Sequence, residues 1–131
     1  MKAIQQITIT ASNGQPIRDT ADDVISLEHM KLKQEKKPLP MEAYPILSTE
    51  YLIKRMIDLS TYRTRSEQRR ADEIYQKIKV TGDVNNPVIL LEDGELDFLN
   101  KLLEKFTPYL NGRIFQPFHV AMETAKTVPT A

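Results

Sequence analysis

The stretch from Pro87 to Phe106, PVILLEDGELDFLNKLLEKF, limits what this chain can fold into more than any other. Val88 to Leu91 are four apolar residues in a row. One face of a solvated helix end cannot hide all four, so the run predicts a short buried strand or an extended approach to a helix. A turn is expected at Asp93-Gly94, followed by a helix. In that helix Leu96, Leu99, Leu102, Leu103 and Phe106 recur at helical spacing and form one apolar stripe. Such a stripe requires a second apolar surface to pack on.

At 131 residues, with 40% hydrophobic and 27% charged side chains, the chain has the size and composition of one globular domain. It has no cysteine, which excludes thiol nucleophiles, disulfides, iron–sulfur clusters and thiolate zinc sites. MKAIQQITIT lacks an apolar leader, and no run of eighteen apolar residues occurs anywhere. Cytoplasmic synthesis without membrane insertion is therefore expected. Eighteen basic residues balance eighteen acidic ones. Residues 1–80 carry 14 basic and 11 acidic side chains, net +3, whereas 81–131 carry 4 and 7, net −3. A chain built mainly to grip nucleic acid is usually more basic.

From the start, Ile7, Ile9 and Ala11 alternate within a predicted strand over Lys2 to Thr10, and Asn13-Gly14 signals a hairpin over 1–19. A three-residue loop, Ser12-Asn13-Gly14 with Gly14 left-handed, sets Ile17 opposite Ile9 on the apolar face, and register follows the buried face. Pro16 then needs a non-hydrogen-bonded or edge position. Residues 20–35 fit a helix capped by Thr20, with Asp22 and Asp23 in its first turn, but also an alternating strand. Residues 36–47 are a proline-rich connector, extended around Pro38, Pro40 and Pro45. Over 48–126 the pattern is helical. Ser48 caps a helix burying Leu52, Ile53, Met56 and Ile57. Thr64-x-x-Glu67 is a capping box opening a second helix, with Ala71, Ile74, Tyr75 and Ile78 inward. Thr81 to Pro87 reads as a turn-rich loop, Pro117 starts a last helix with Phe118, Ala121 and Met122 inward, and 127–131 reads as a tail. The expectation is a single α+β domain, mostly α: a small helical bundle with an N-terminal β-hairpin, to which Val88 to Leu91 can add.

The residues that could carry chemistry are few. All four glycines follow Asn, Thr or Asp and read as turn residues, which leaves none for a phosphate-cradling loop. His29 and His119 stand in no metal-ligand spacing, and no nucleophile–base motif is visible. Glu92, Asp93, Glu95 and Asp97 form an oxygen-rich cluster, but acids at a helix start ordinarily serve the free N–H groups, and Asp83-x-Asn85 upstream departs from the calcium-loop pattern. No enzyme, metal or cofactor is expected.

The basic cluster offers a binding surface. Residues 31–79 hold 12 basic and 7 acidic side chains, net +5. On one exposed side, Arg63, Arg65, Arg69 and Arg70 can contact phosphates or carboxylates in forked geometry. They can equally be neutralised by the helix pairs Arg69–Glu73, Glu73–Lys77 and Glu67–Arg70. The connector presents Lys36, Lys37, Pro38, Pro40 and Tyr44 as a docking arm. Phe106, Tyr109, Phe115 and Phe118 cluster near the C-terminal end, as core if covered and as a docking patch if exposed.

TRSEQRRADEIYQKIK followed by PVILLEDGELDFLNKLLEKF, about residues 64–106, resembles small proteins of bacteriophages: a charged helix, a short loop, then an apolar step into an acid-capped helix. The resemblance implies a structural, assembly or host-interacting protein of the virion or host cytoplasm. The expected function is therefore non-catalytic docking on other protein chains, self-assembly included, with nucleic-acid binding through helix 63–79 as the alternative.

Overall fold

A computed structural model describes residues 1–20, 26–106 and 113–128. Among them are five α-helices and a four-stranded antiparallel sheet, so the class is α+β, mostly α. The strands are β1 (Lys2–Gln5), β2 (Val80–Asp83), β3 (Asn86–Leu91) and β4 (Lys126–Thr127), in the order β2-β3-β1-β4. The helices are α1 (Leu27–Gln34), α2 (Thr49–Leu59), α3 (Arg65–Lys77), α4 (Asp93–Phe106) and α5 (Gln116–Glu123). Of the expected helical bundle with an N-terminal hairpin, the N-terminal strand forms, and it pairs with β3 and β4. Ile4, Ile89 and Leu91, alternate residues on one sheet face, join the buried side chains of α2, α3, α4 and α5 in one core.

The central stretch explains this arrangement. Period-two alternation sends Ile89 and Leu91 into the core and leaves Val88 and Leu90 half-buried on the other face. The run is therefore a two-sided strand and is fully buried on one side only. There is no separate turn at Asp93-Gly94, because α4 begins at Asp93. The Glu92 N–H donates to Glu95 Oε1 at 2.9 Å, so the side chain of Glu95 reaches back one turn to cap its own helix. Leu96, Leu99, Leu102 and Leu103 then bury the predicted stripe.

β1 ends at Gln5, five residues sooner than alternation suggests. Ile4 and Ile9 are both buried although an odd number of positions apart, so the strand's parity must break between them. The break lies just past Gln5, where Gln6 and Ile7 turn to satisfy the start of α2. Thr49 N–H donates to Ile7 O (3.1 Å), Glu50 N–H to Gln6 Oε1 (2.9 Å) and Tyr51 N–H to Ser48 Oγ (3.2 Å). Three amides left over at that helix end thus find acceptors.

The Asn13-Gly14 reversal uses a three-residue loop with Gly14 at φ 82°. Ile17 N–H donates to Ile9 O at 2.9 Å, and Pro16 bridges Thr10 where no N–H is required. The two arms form only single bridges, because Leu47 inserts as a third member. Ile9 N–H donates to Leu47 O, Leu47 N–H to Ile17 O, and Ile17 N–H to Ile9 O, each at 2.9 Å, closing a ring.

Four further expectations are corrected. Thr81 to Pro87 is a hairpin, β2 to β3, turning at Val84-Asn85. The α1 cap is Ser26, whose Oγ accepts from His29 N–H; Asp22 and Asp23 lie outside the described residues. The connector contains a short 3-10 turn at Met41–Ala43. Thr127 belongs to β4, and Val128 N–H donates to Met1 O, so the predicted tail begins inside the sheet.

Candidate functional site

The structure distributes the predicted basic residues over different roles. Arg63, Arg65 and Arg69 are exposed, and no ion pair among the described residues includes them. Arg70 differs, since its guanidinium lies 6.0 Å from the centre of the Phe98 ring and reaches the start of α4 beside Gly94. The helix pairs expected to neutralise the cluster do not form among the described residues. Lys77 crosses to Glu95 instead, with Nζ 2.8 Å from Oε2.

In the connector, Lys36, Lys37, Pro38 and Pro40 are exposed, Lys37 pairs with Glu35 at 3.0 Å, and Lys36 adopts φ 57°. Tyr44 belongs to the body of the protein. Its carbonyl accepts from Arg18 Nη1 at 2.8 Å, and the next carbonyl, of Pro45, accepts from Asp19 N–H. Tyr51 holds Asp19 through its hydroxyl, and Arg55 Nε lies 3.6 Å from the same carboxylate. The docking arm of the sequence reading thus shortens to residues 36–43.

The acidic cluster is a helix start. Glu95 is buried, at 5% exposure, and its two oxygens are taken by the Glu92 amide and Lys77. Burial pushes its carboxyl up, but the Lys77 hydrogen bond, the Glu92 amide and the Lys77 and Arg70 charges outweigh that and hold it below the usual 4.5. Lys77 is correspondingly raised, chiefly by the same hydrogen bond. His29 bonds Ser26 on α1, whereas His119 lies on α5 against Phe118. Phe118 is fully buried and Phe115 packs on the core; Tyr109 and the side chain of Phe106 lie outside the described residues.

Besides a cleft of about 550 Å³ lined by Lys77, Lys79, Thr81, Leu90, Glu92 and Glu95, among others, two concavities remain. Between α2 and α3 a groove of about 510 Å³ is lined by Asp58, Ser60, Tyr62, Gln68, Asp72 and Tyr75, among others. The Tyr62 hydroxyl donates to Ile57 O at 2.9 Å. Burial raises its pKa against a Ser60 hydrogen bond, with Asp72 and Asp58 adding to the rise, so the phenol stays protonated. Gln68 is tied to Asp72 at 3.1 Å, so these polar groups bond to one another along the groove wall.

The second concavity is the outer face of the sheet. Ala3 pairs with Leu90 and Gln5 with Val88, and Val128 follows β4 alongside. These apolar groups, rimmed by Gln5, Asn86, Thr124 and Lys126, line an open groove of about 450 Å³. Among the described residues Lys126 is its one charged side chain, so the face suits contact with apolar surface. On one side the face runs out to β2, an edge strand. The β-branched pair Val80-Thr81 was the sequence signal for this strand, masked by the turn residues around it.

Comparison with protein-family models, with curated proteins and with solved structures gives no match. No helix among the described residues is long and apolar enough to cross a membrane.

Proposed function

We propose that this is a non-catalytic interaction protein that docks on other protein chains through its sheet, as a structural or assembly component of the bacteriophage kind that residues 64–106 resemble. Host cytoplasm or virion is the setting that goes with this reading. The observation carrying it is the outer sheet face, where Ala3, Val88, Leu90 and Val128 form a shallow apolar groove without reactive groups. Apolar faces of this kind on otherwise charged surfaces serve association.

The test is a single substitution, Leu90→Glu, in the middle of that face. Proteins retained by the wild-type chain from phage-infected cell extract are expected to be lost with Leu90→Glu, while circular dichroism and urea denaturation show an intact fold. Identical retention by both chains overturns the reading.

A second reading, nucleic-acid binding through α3, is favoured by the exposure of Arg63, Arg65 and Arg69 without an ion pair among the described residues. Three phosphate contacts predict a log–log salt slope of roughly −3 for duplex DNA, from about 0.9 per contact. Fluorescence anisotropy with a labelled duplex decides it, and a salt-independent or absent signal removes it.

A further inference from the structure

β2 is an open edge whose side chains form a self-complementary series. Pro87 has no N–H to give, so its pair with Gly82 lacks ladder hydrogen bonds. The Pro87 carbonyl indeed turns to the other side, accepting from Gln6 N–H at 3.0 Å. Alternation then directs the amides of Thr81 and Asp83 at β3 and those of Val80 and Gly82 outward from the sheet. The outward groups are what a further strand needs.

We propose that the edge takes a second copy of this chain, the two β2 strands running antiparallel about a twofold axis at Thr81. This rests on the reading that the protein works by docking on protein chains, and names the partner. Outward amides allow pairings centred on Val80, Thr81 or Gly82, and charge selects among them. Only with Thr81 at the centre does Lys79 of each copy stand opposite Asp83 of the other. Both residues are exposed, and no ion pair among the described residues includes either. Asp83 Oδ1 accepts from Asn85 N–H at 3.3 Å, which leaves Oδ2 for the lysine.

The same register places Val80 opposite Gly82 on the other face. Val80 is 38% exposed, a large apolar side chain at an edge that charge or proline would ordinarily blunt, and Val84 is 93% exposed in the turn beyond it. Gly82, at φ 92°, presents no side chain to an approaching backbone. Joining the edges makes one eight-stranded sheet from two four-stranded ones and merges the two outer faces.

Charge reversal tests the register. Lys79→Asp and Asp83→Lys each place like charges opposite one another at both ends of the axis, and each is expected to raise the dimer dissociation constant on the order of tenfold or more. Sedimentation velocity over a concentration series should show a wild-type dimer and two monomeric single variants, each with wild-type circular dichroism. Mixing the single variants one to one should restore a dimer, since the acidic edge of the first then faces the basic edge of the second. The double variant Lys79→Asp/Asp83→Lys should dimerise as well, its charges exchanged but still opposite in sign across the axis. A wild-type monomer at every concentration overturns the proposal, as does a dimer that the single reversals leave unchanged. A wild-type monomer that still retains proteins in a Leu90-dependent way overturns self-pairing alone and shows the edge or face to be occupied by another chain; loss of both removes the docking reading as well.

Discussion

The hydroxyl of Thr49 donates to the carbonyl of Gln5 at 3.0 Å, from a side chain with no exposed surface. The same oxygen accepts from Ile7 N–H at 3.0 Å. One buried atom therefore ties the end of β1 to the first turn of α2. Thr49→Val keeps the shape and orphans a partly buried donor and a partly buried acceptor, so it is expected to cost about 2 kcal/mol in urea denaturation. Thr49→Ser should recover most of it; equal losses for both would show that the methyl group and not the hydroxyl matters.

Acid should act on stability through Glu95. A carboxyl held below 4.5 in the folded chain contributes stability that is complete above that value and is lost as pH falls through the folded-state value. Denaturation midpoints from roughly pH 6 to pH 3 should therefore fall less steeply for Glu95→Gln than for wild type, starting from a lower plateau. Lys77, raised from 10.5, acts with the opposite sign, its contribution being lost only in strong alkali.

Two glycines with positive φ should respond unequally to alanine. At Gly14 an added Cβ meets nothing within 4 Å, so Gly14→Ala carries only the left-handed penalty, about 1 kcal/mol. At Gly82 the Cβ would lie 3.2 Å from Asn86 O as well, and Gly82→Ala is expected to cost more. Thermal unfolding of the two variants gives the order directly.

Among the arginines, Arg63→Ala, Arg65→Ala and Arg69→Ala should each leave stability within about 0.5 kcal/mol of wild type. Arg70→Ala should lose roughly 1 kcal/mol through its contact with Phe98. Equal effects at all four positions would contradict the division of the cluster described above.

How far these features could be read from the chain depended on whether their cause was local. Ser48 and Thr64 cap α2 and α3, their side chains accepting from Tyr51 and Glu67, because a cap is decided within one turn. The stripes of α2, α3 and α4 follow from 3.6-residue periodicity, which needs no knowledge of the partner. β4, two residues long, has no periodicity to show and exists only because Lys2 and Ala3 supply a ladder. The early end of β1 is likewise set by the amides of α2 more than forty positions away. The apolar groove is hidden in the sequence because Val88 to Leu91 read as uniformly buried, whereas the pleat of β3 turns Val88 and Leu90 to the face opposite Ile89 and Leu91.

β1 lies between β3 and β4, and its contacts at the β4 side, Lys2 with Thr127 and Met1 with Val128, span 125 and 127 residues. At about 5–20 residues per second of synthesis, the opening strand waits several seconds for β3 and longer for β4, with both its edges unpaired. Closure of the sheet is a late, non-local event of the kind that slows folding. The helical segments between, α2 and α3, can form while it waits, so the rate at which this protein reaches its native state should be governed by when its first four-residue strand is captured.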